Sequence, residues 1–373
     1  MTLGLAGRRI VVVCGSGGVG KTTVSAAIAT TLARKGARTV VMAVDPAKRL
    51  ATSLGLPHEP GERSTVDAGG GATLEALLLD TKRTFDELVE RHAGSPERRD
   101  HILENRFYQR IAATLSGTYE YMAMERLYEL ATSEDWEAIV IDTPPTRSAL
   151  SFLDAPRRMT DFLGGKMFRW LAWPSRAAGR AGMRGASMGA RVLSRTVGRI
   201  AGTDLLTDTA EFLAAFDGMY EGFKQRAADV YALLSEEETG FVVVTAPERA
   251  SLDEAGHFVE RLTSSKMHLA GVVVNRWVRA PAIAAPSETI EELAGGSAEH
   301  RATAACLEVA ERMRAIEARG RAAVEPFGAA YPEIPLTVVP ELPLDVHDRE
   351  GLDMVAGHLF GRAVETPEAR EAR

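Results

Sequence analysis

The sequence predicts an α/β fold, namely a doubly wound, mostly parallel sheet with an inserted helical subdomain. Three observations predict it. First, the 373 residues contain five short apolar runs rich in β-branched residues and a sixth near the end. Second, helical patterns lie between these runs. Third, a glycine-rich loop joins the first run to the first helix. Continuous apolar runs of this length are typical of parallel strands covered on both faces. Their alternation with helices favours a doubly wound sheet.

The predicted strands end at polar or turn residues. They cover residues 9–14, 39–44, 138–141, 241–245, 270–274 and 336–339. Helical periodicity follows the first strand at 22–34 and the fourth at 252–262. Because ligands of such sheets bind at the carboxyl ends of the strands, we expect the functional residues there.

Two long stretches interrupt the alternation of strands and helices. Residues 80–136 and 157–238 carry helical patterns without strands, and we interpret them as a helical subdomain inserted into one domain over 1–362. Residues 280–300 are predicted to be a flexible loop before a charged helix near 301–322. The polar residues 363–373 are predicted to be a disordered tail.

Composition favours a soluble protein. Hydrophobic residues make up 45% and charged residues 25%, and two cysteines, Cys14 and Cys306, cannot form a disulfide framework. No apolar run reaches the length of a membrane span, and the apolar run near the N-terminus is too short for a signal peptide. We therefore expect a cytoplasmic location.

The loop after the first strand predicts a phosphate site. Residues 15–22 fit the pattern G-x-x-x-x-G-K-[ST], which consists here of Gly15, Ser16, Gly17, Gly18, Val19, Gly20, Lys21 and Thr22. Glycines let the backbone curl so that its N–H groups point at a phosphate, and the helix N-terminus reinforces the attraction. Lys21 is expected to reach the β- and γ-phosphates of a bound nucleotide.

Two aspartates end predicted strands at the same edge of the sheet. The Thr22 hydroxyl and Asp142 are oxygen ligands of the kind that Mg²⁺ prefers. Asp45 ends the second strand, where a carboxylate can orient or deprotonate an attacking water. The alternative for Asp45 is a cap or turn aspartate without a chemical role.

Several motifs together carry a family resemblance. Residues 17–23, Asp45-Pro46-Ala47 and the run from Asp142 to Thr146 resemble the phosphate loop and two switch regions of the arsenical pump-driving ATPases, a pattern shared by the tail-anchored-protein targeting ATPases. The matches extend over about residues 9–345. The segment 107–127 resembles the actinobacterial branch, in which such ATPases tend to occur as paired paralogues.

The resemblance implies a P-loop ATPase that uses ATP and Mg²⁺. It implies that Asp45 activates water, that Lys21 contributes to catalysis, and that Thr22 and Asp142 serve Mg²⁺. Thr23 would join the phosphate loop, and the base would be held by Asn275, Pro340 and Leu342. Members of the family work as dimers whose nucleotide cycle moves the helical subdomains, a switch by rigid-body motion and ordering.

The sequence departs from the family pattern in three respects. Ser16 stands where the family usually has a lysine that reaches into the partner's site, so we expect either slow hydrolysis as a homodimer or pairing with a paralogous ATPase that carries the lysine. Lys48, Arg49 or Arg147 are candidate substitutes. The sequence has no C-x-x-C for a zinc bridge and no clustered thiols for metalloid chemistry, so neither is expected.

One basic segment indicates a partner. Ten basic residues lie between Arg157 and Ile200 against one acid, Asp161, within a chain whose net charge is −7. Aromatic residues and methionines accompany them, which suits a hydrophobic protein segment or a membrane lipid. The alternative is a helical core with a solvated basic face. Nucleic acid is not expected, since the recognition motifs are absent.

The leading hypothesis is a Mg²⁺-dependent ATPase, cytoplasmic with optional peripheral membrane association. Its nucleotide cycle would switch a dimer and a helical subdomain that binds a hydrophobic or membrane-associated partner. The first alternative is a nucleotide-binding regulatory subunit with weak hydrolysis, paired with a lysine-bearing paralogue. The second is a surface-partitioning ATPase, against which the polar C-terminus argues.

Overall fold

The computed structural model describes residues 3–44, 49–54, 61–106, 108–109, 118–144, 220–343, 345–346 and 348–361. The predictions for Asp45, for 157–219 and for the tail 363–373 fall outside these residues. The described residues divide into two compact units. The first takes in those within 3–78, 134–144 and 235–361, and the second those within 79–133 and 220–234.

The first unit holds one sheet, in which the described residues form eight strands. In chain order they are β1 (Ile10–Gly15), β2 (Thr39–Ala43), β3 (Arg63–Gly69), β4 (Ala72–Leu78), β5 (Ala138–Asp142), β6 (Thr239–Thr245), β7 (Leu269–Trp277) and β8 (Leu336–Pro340). The order across the sheet is β3-β4-β2-β5-β1-β6-β7-β8. Every neighbouring pair is parallel except β3 and β4. All six predicted strands are present, and the predicted fold class is confirmed.

Two strands were not predicted. β3 and β4 form an antiparallel hairpin that joins the sheet through β4 beside β2. Gly69, Gly70 and Gly71 turn the chain between them with φ of 90°, 66° and 82°, the left-handed region that glycine adopts without a steric penalty. The hairpin places an antiparallel edge on an otherwise parallel sheet, as is common in large α/β folds.

Ten helices are described. They are α1 (Lys21–Arg34), α2 (Arg49–Leu54), α3 (Thr81–His92), α4 (Pro96–Glu104), α5 (Thr118–Thr132), α6 (Tyr220–Ser235), α7 (Arg249–Ser264), α8 (Ser287–Ala294), α9 (Ala298–Ala330) and α10 (Arg349–Phe360). The prediction of a loop over 280–300 was wrong in part, because α8 lies inside it and α9 begins at Ala298. Ser297 caps α9 by accepting the His300 N–H, and Ile290 of α8 packs against Leu307 of α9.

The core lies on both faces of the sheet. Val11 and Val13 of β1 belong to a cluster with α1 and α10, whereas Val12 is equally buried and points to the opposite face. Helix α7 packs against β6, β1 and β7. Because the central strands are covered on both faces, their apolar runs are continuous, and their polar residues concentrate at the carboxyl edge.

Candidate nucleotide-binding site

The phosphate loop follows the fully buried strand β1 and leads directly into α1. Gly18 and Gly20 have φ of 80° and 92°, in the left-handed region. A Cβ on Gly15 would lie 2.0 Å from the Val244 carbonyl oxygen, so the loop passes the end of β6 with no room for a side chain. The backbone therefore curls in the way that a phosphate cradle requires.

The Lys21 ammonium is held over the loop. The side chain is 6% exposed, and its Nζ donates a hydrogen bond of 2.9 Å to the Ser16 carbonyl oxygen. A buried cation at the N-terminus of a helix, beside inward-facing backbone N–H groups, is suited to bind a polyphosphate.

Thr22 and Asp142 meet beneath the loop. The Thr22 hydroxyl donates to Asp142 Oδ2 at 2.8 Å, and Asp142 is 1% exposed. Ser25 Oγ lies 3.2 Å from the other carboxylate oxygen and 2.9 Å from the Lys21 carbonyl oxygen. The sequence reasoning missed Ser25, although it stands three residues after Thr22 and so lies on the same face of α1.

Strand β5 is anchored on both sides at the point where Asp142 stands. The Val44 N–H donates to the Asp142 carbonyl oxygen at 3.1 Å, and the Thr143 N–H donates to the Val13 carbonyl oxygen at 3.2 Å. The chain therefore leaves β2 and β5 from adjacent positions at the carboxyl edge. Asp45 follows Val44 directly in sequence, and its placement is outside the described residues.

The donors at this edge fit Mg²⁺. A threonine hydroxyl and a buried carboxylate 2.8 Å apart are hard oxygen ligands, and Mg²⁺ usually takes one or two protein oxygens and completes its shell with water and phosphate. Within the described part of the chain there is no group of three or more His, Cys, Asp or Glu residues that could form a complete protein metal cage. The pair is therefore suited to a metal that arrives with a nucleotide.

A bulge in β7 directs Asn275 at the phosphate loop. The register of β7 against β8 shifts between Val274 and Trp277, and Arg276 adopts φ of 60°. Such a bulge re-aims the neighbouring side chain. Asn275 Nδ2 donates to the Val19 carbonyl oxygen at 2.8 Å and would lie 2.2 Å from a Cβ on Gly20.

A cleft of about 120 Å³ opens beside Asn275. It brings together Gly20, Thr23, Asn275, Pro340 and Leu342, all of them predicted site residues. Its remaining lining residues, which the sequence reasoning did not select, are Arg276, Glu341, Asp345, Val346 and Val355. The Glu341 N–H donates to the Trp277 carbonyl oxygen at 2.9 Å and so ties the loop after β8 to the end of β7.

Cys14 does not take part in this chemistry. It is 4% exposed, its Sγ lies 3.6 Å from the Val242 carbonyl oxygen, and burial raises the pKa of its thiol to about 12 although Lys21 acts in the opposite direction. A thiol that stays protonated and buried packs as a small apolar residue. None of the helices in the described ranges has the length and apolar character needed to cross a bilayer.

The fold and the loop define a P-loop nucleoside triphosphatase. The model of the anion-transporting ATPase family matches residues 8–292, and the chain belongs to this family of ATP-hydrolysing enzymes. The chain is 26% identical to the ATPase GET3 of Malassezia globosa over 277 residues, which cover 72% of each chain.

Other relatives match over a shorter stretch. The ATPase BagA of Mycobacterium tuberculosis is 29% identical over 174 residues, or 43% of this chain and 49% of that protein. The ATPase get3 of Aspergillus terreus is 31% identical over 151 residues, or 40% of this chain and 43% of that protein. The matched stretches thus span less than half the length of these two relatives.

Proposed function

We propose that this ATPase hydrolyses ATP with Mg²⁺ and that its nucleotide cycle switches a dimer and the helical subdomain inserted in domain 1–362. The observation that carries the proposal is the contact of Thr22 with the buried Asp142 directly below the glycine-rich loop. This pair links the nucleotide site to the strand end from which the second switch segment departs.

The positions of the described residues support the following roles, and the family resemblance supports that of Asp45. Lys21 binds the β- and γ-phosphates by turning from the Ser16 carbonyl, to which it now donates. Thr22 and Asp142 would hold Mg²⁺, which when bound neutralises phosphate charge. Asn275 and Pro340 flank the base, and Asp45 orients the attacking water.

The experiment that tests this function is steady-state hydrolysis by the purified full chain, with and without Mg²⁺. We expect Mg²⁺-dependent phosphate release. Hydrolysis that is absent for the chain alone and in mixtures with a lysine-bearing paralogue would contradict the proposal.

The dimer and the partner form the finer part of the proposal. The resemblance of the phosphate loop and switch motifs to the arsenical pump-driving ATPases supports a dimer that switches with nucleotide. The basic and aromatic segment around 157–200 supports a hydrophobic protein segment or membrane lipid as partner, and thus peripheral membrane association of a cytoplasmic protein. Flotation with anionic liposomes, in the apo and ATP-analogue states, tests whether lipid is the partner. If the protein binds neither lipid nor a hydrophobic peptide in either state, this part of the proposal is wrong.

A second candidate function is a regulatory subunit with weak hydrolysis. Ser16 favours it, because a serine offers no cation to a partner's site, and a cation supplied in trans accelerates phosphoryl transfer by about 10³–10⁵ in arginine-finger systems. Hydrolysis that appears only after a lysine-bearing paralogue is added would select this alternative.

A further inference from the structure

Arg276 has a backbone conformation that is unfavourable for a long side chain. Its φ of 60° lies in the left-handed region, where the Cβ of an L-residue crowds the following carbonyl oxygen. Glycine adopts this region without a steric penalty, and asparagine visits it more often than a long side chain does. Because strained backbone concentrates at functional sites, an arginine at this position requires a functional explanation.

Lys266 is the other non-glycine residue of positive φ in the described part of the chain, at 57°. It stands just past the end of α7, where its N–H donates to the Thr263 carbonyl oxygen at 3.0 Å. The Met267 N–H donates to the Leu262 carbonyl oxygen at 2.9 Å. These two bonds form the Schellman ending of a helix, in which a left-handed residue is usual. Arg276 lies within β7, so no helix end accounts for its conformation.

The Arg276 side chain is available to a ligand. It is exposed and lines the cleft of about 120 Å³ beside Asn275, which we call the base cleft. Its guanidinium forms no hydrogen bond or ion pair with the described residues, although Glu341 lines the same cleft. A planar cation on the wall of a cleft is thus free to contact a bound molecule.

A second cavity also reaches Arg276. It measures about 730 Å³ and lies on the side of Pro247 and Gly320. Of the two cavities, the base cleft is the one that includes Gly20 of the phosphate loop, and Asn275, next to Arg276, donates a hydrogen bond to that loop. An arginine that contacts a nucleotide therefore turns to the base cleft.

We propose that the Arg276 guanidinium contacts the base of the bound nucleotide. This inference rests on the proposed function, because it requires the base to lie in the base cleft. A guanidinium is planar, carries five N–H donors and stacks on aromatic rings. A purine offers it both a ring face and ring-nitrogen acceptors such as N7. Arg276 thus adds to nucleotide affinity, and the contact with the base offsets the strain of its backbone.

The variant Arg276→Gly separates the role of the side chain from that of the backbone. Glycine keeps the left-handed φ and removes the strain, so the melting temperature should not fall. We expect the full chain of this variant to bind a non-hydrolysable ATP analogue about tenfold or more weakly in a calorimetric titration. Arg276→Asn, which also tolerates a left-handed φ, should lose affinity to a similar extent. Inorganic tripolyphosphate has no base, so its affinity, measured by competition with the analogue, should be the same for wild type and both variants.

Lys266→Gly is the matched control. It makes the same kind of exchange at almost the same φ, but Lys266 lines neither cavity at Arg276. We expect its affinity for the analogue to equal that of the wild type.

Three results would overturn the inference and leave the proposed function standing. They are unchanged analogue affinity in Arg276→Gly, an equal loss in Lys266→Gly, and an equal loss for tripolyphosphate, which would place the arginine on the phosphates. A wild-type chain that binds no ATP analogue would overturn both the inference and the proposed function.

Discussion

At the scale of a single residue, Gly20 is the point at which the phosphate loop comes closest to the Asn275 side chain. Its φ of 92° disfavours any side chain, and a Cβ would lie 2.2 Å from the Asn275 amide. We predict that Gly20→Ala displaces Asn275 from the Val19 carbonyl and lowers ATP affinity at least about tenfold. Calorimetric titration of the purified variant measures the affinity.

Gly36 provides the matched control for this prediction. Its φ is 93°, yet nothing lies within 4 Å of a Cβ built on it. Gly36→Ala should cost about 1 kcal/mol of stability and leave ATP affinity unchanged. If both variants lose affinity equally, backbone strain rather than the Asn275 contact explains the effect.

The Asp142 carboxylate allows a test of the metal site. We predict that Asp142→Asn lowers Mg²⁺-dependent hydrolysis about 10–100-fold, because the amide keeps an oxygen for the Thr22 hydroxyl but loses the negative charge. Nucleotide binding without Mg²⁺ should change little. Ser25→Ala, which removes the 3.2 Å neighbour of the carboxylate and the hydrogen bond to the Lys21 carbonyl oxygen but leaves the charge of Asp142, should have a smaller effect. Equal hydrolysis by wild type and Asp142→Asn at limiting Mg²⁺ would exclude Asp142 as a ligand.

At the scale of elements, one buried carboxylate contacts arginines from two other helices of the second unit. Glu125 of α5 is 1% exposed, with Arg91 of α3 at 3.2 Å and Arg226 of α6 at 3.3 Å. Arg226 also lies 4.1 Å from the centre of the Tyr128 ring. Burial raises the pKa of Glu125, although both arginines act in the opposite direction. Three helices thus share one charge cluster.

His92, a half-buried histidine beside this cluster, makes the stability of the second unit depend on pH. Burial first, and then Arg226 and Arg91, lower the pKa of His92. The unfolded chain therefore takes up this proton at a higher pH than the folded chain, so the contribution of neutral His92 to stability is complete above the ordinary histidine pKa and is lost as pH falls below it. The raised pKa of Glu125 has the opposite sign, because the folded chain then binds its proton more readily. We predict that His92→Gln makes the melting temperature fall less, or rise more, as pH is lowered from about 7 to 5. His257→Gln, at an exposed site in the first unit, is the control; an unchanged slope in His92→Gln contradicts the prediction.

Most of the strands that the sequence reasoning predicted share one property, which is burial on both faces. β1, β2, β5, β6 and β7 contain continuous buried apolar runs, whereas β8, at the edge of the sheet, is half-exposed on alternate residues and was still recognisable from its β-branched residues. β3 is exposed on alternate residues and is interrupted by charge, so its run is too broken to recognise. Helix α8 is short and follows a stretch rich in Pro and Ala, and its single buried residue, Ile290, gives no periodic signal.

The phosphate loop was predictable because the spacing of its glycines is itself the signal. The residues Arg276 and Val355, which line the base cleft, could not be predicted because tertiary contacts bring them there.

At the scale of the whole molecule, Ser16 tests whether two chains complete each other's sites. Its carbonyl oxygen accepts from Lys21, but its side chain is free to be changed without removing that acceptor. We predict that Ser16→Lys raises hydrolysis, by up to about 10³-fold, if the new cation reaches the partner's phosphates. Steady-state hydrolysis and mass in the presence of an ATP analogue measure the effect. If neither turnover nor assembly changes, the serine at position 16 in place of the family's lysine does not limit hydrolysis.

The hydrogen bond between Asn275 and Val19 joins residues 256 positions apart. At about 5–20 residues per second, a ribosome completes the phosphate loop roughly ten seconds to a minute before it makes the asparagine that supports it. A nascent chain therefore presents an unsupported phosphate loop for most of its synthesis. Nucleotide can act as a ligand that favours folding only once β7 has emerged, so ATP should speed the last stage of folding and leave the earlier stages unchanged.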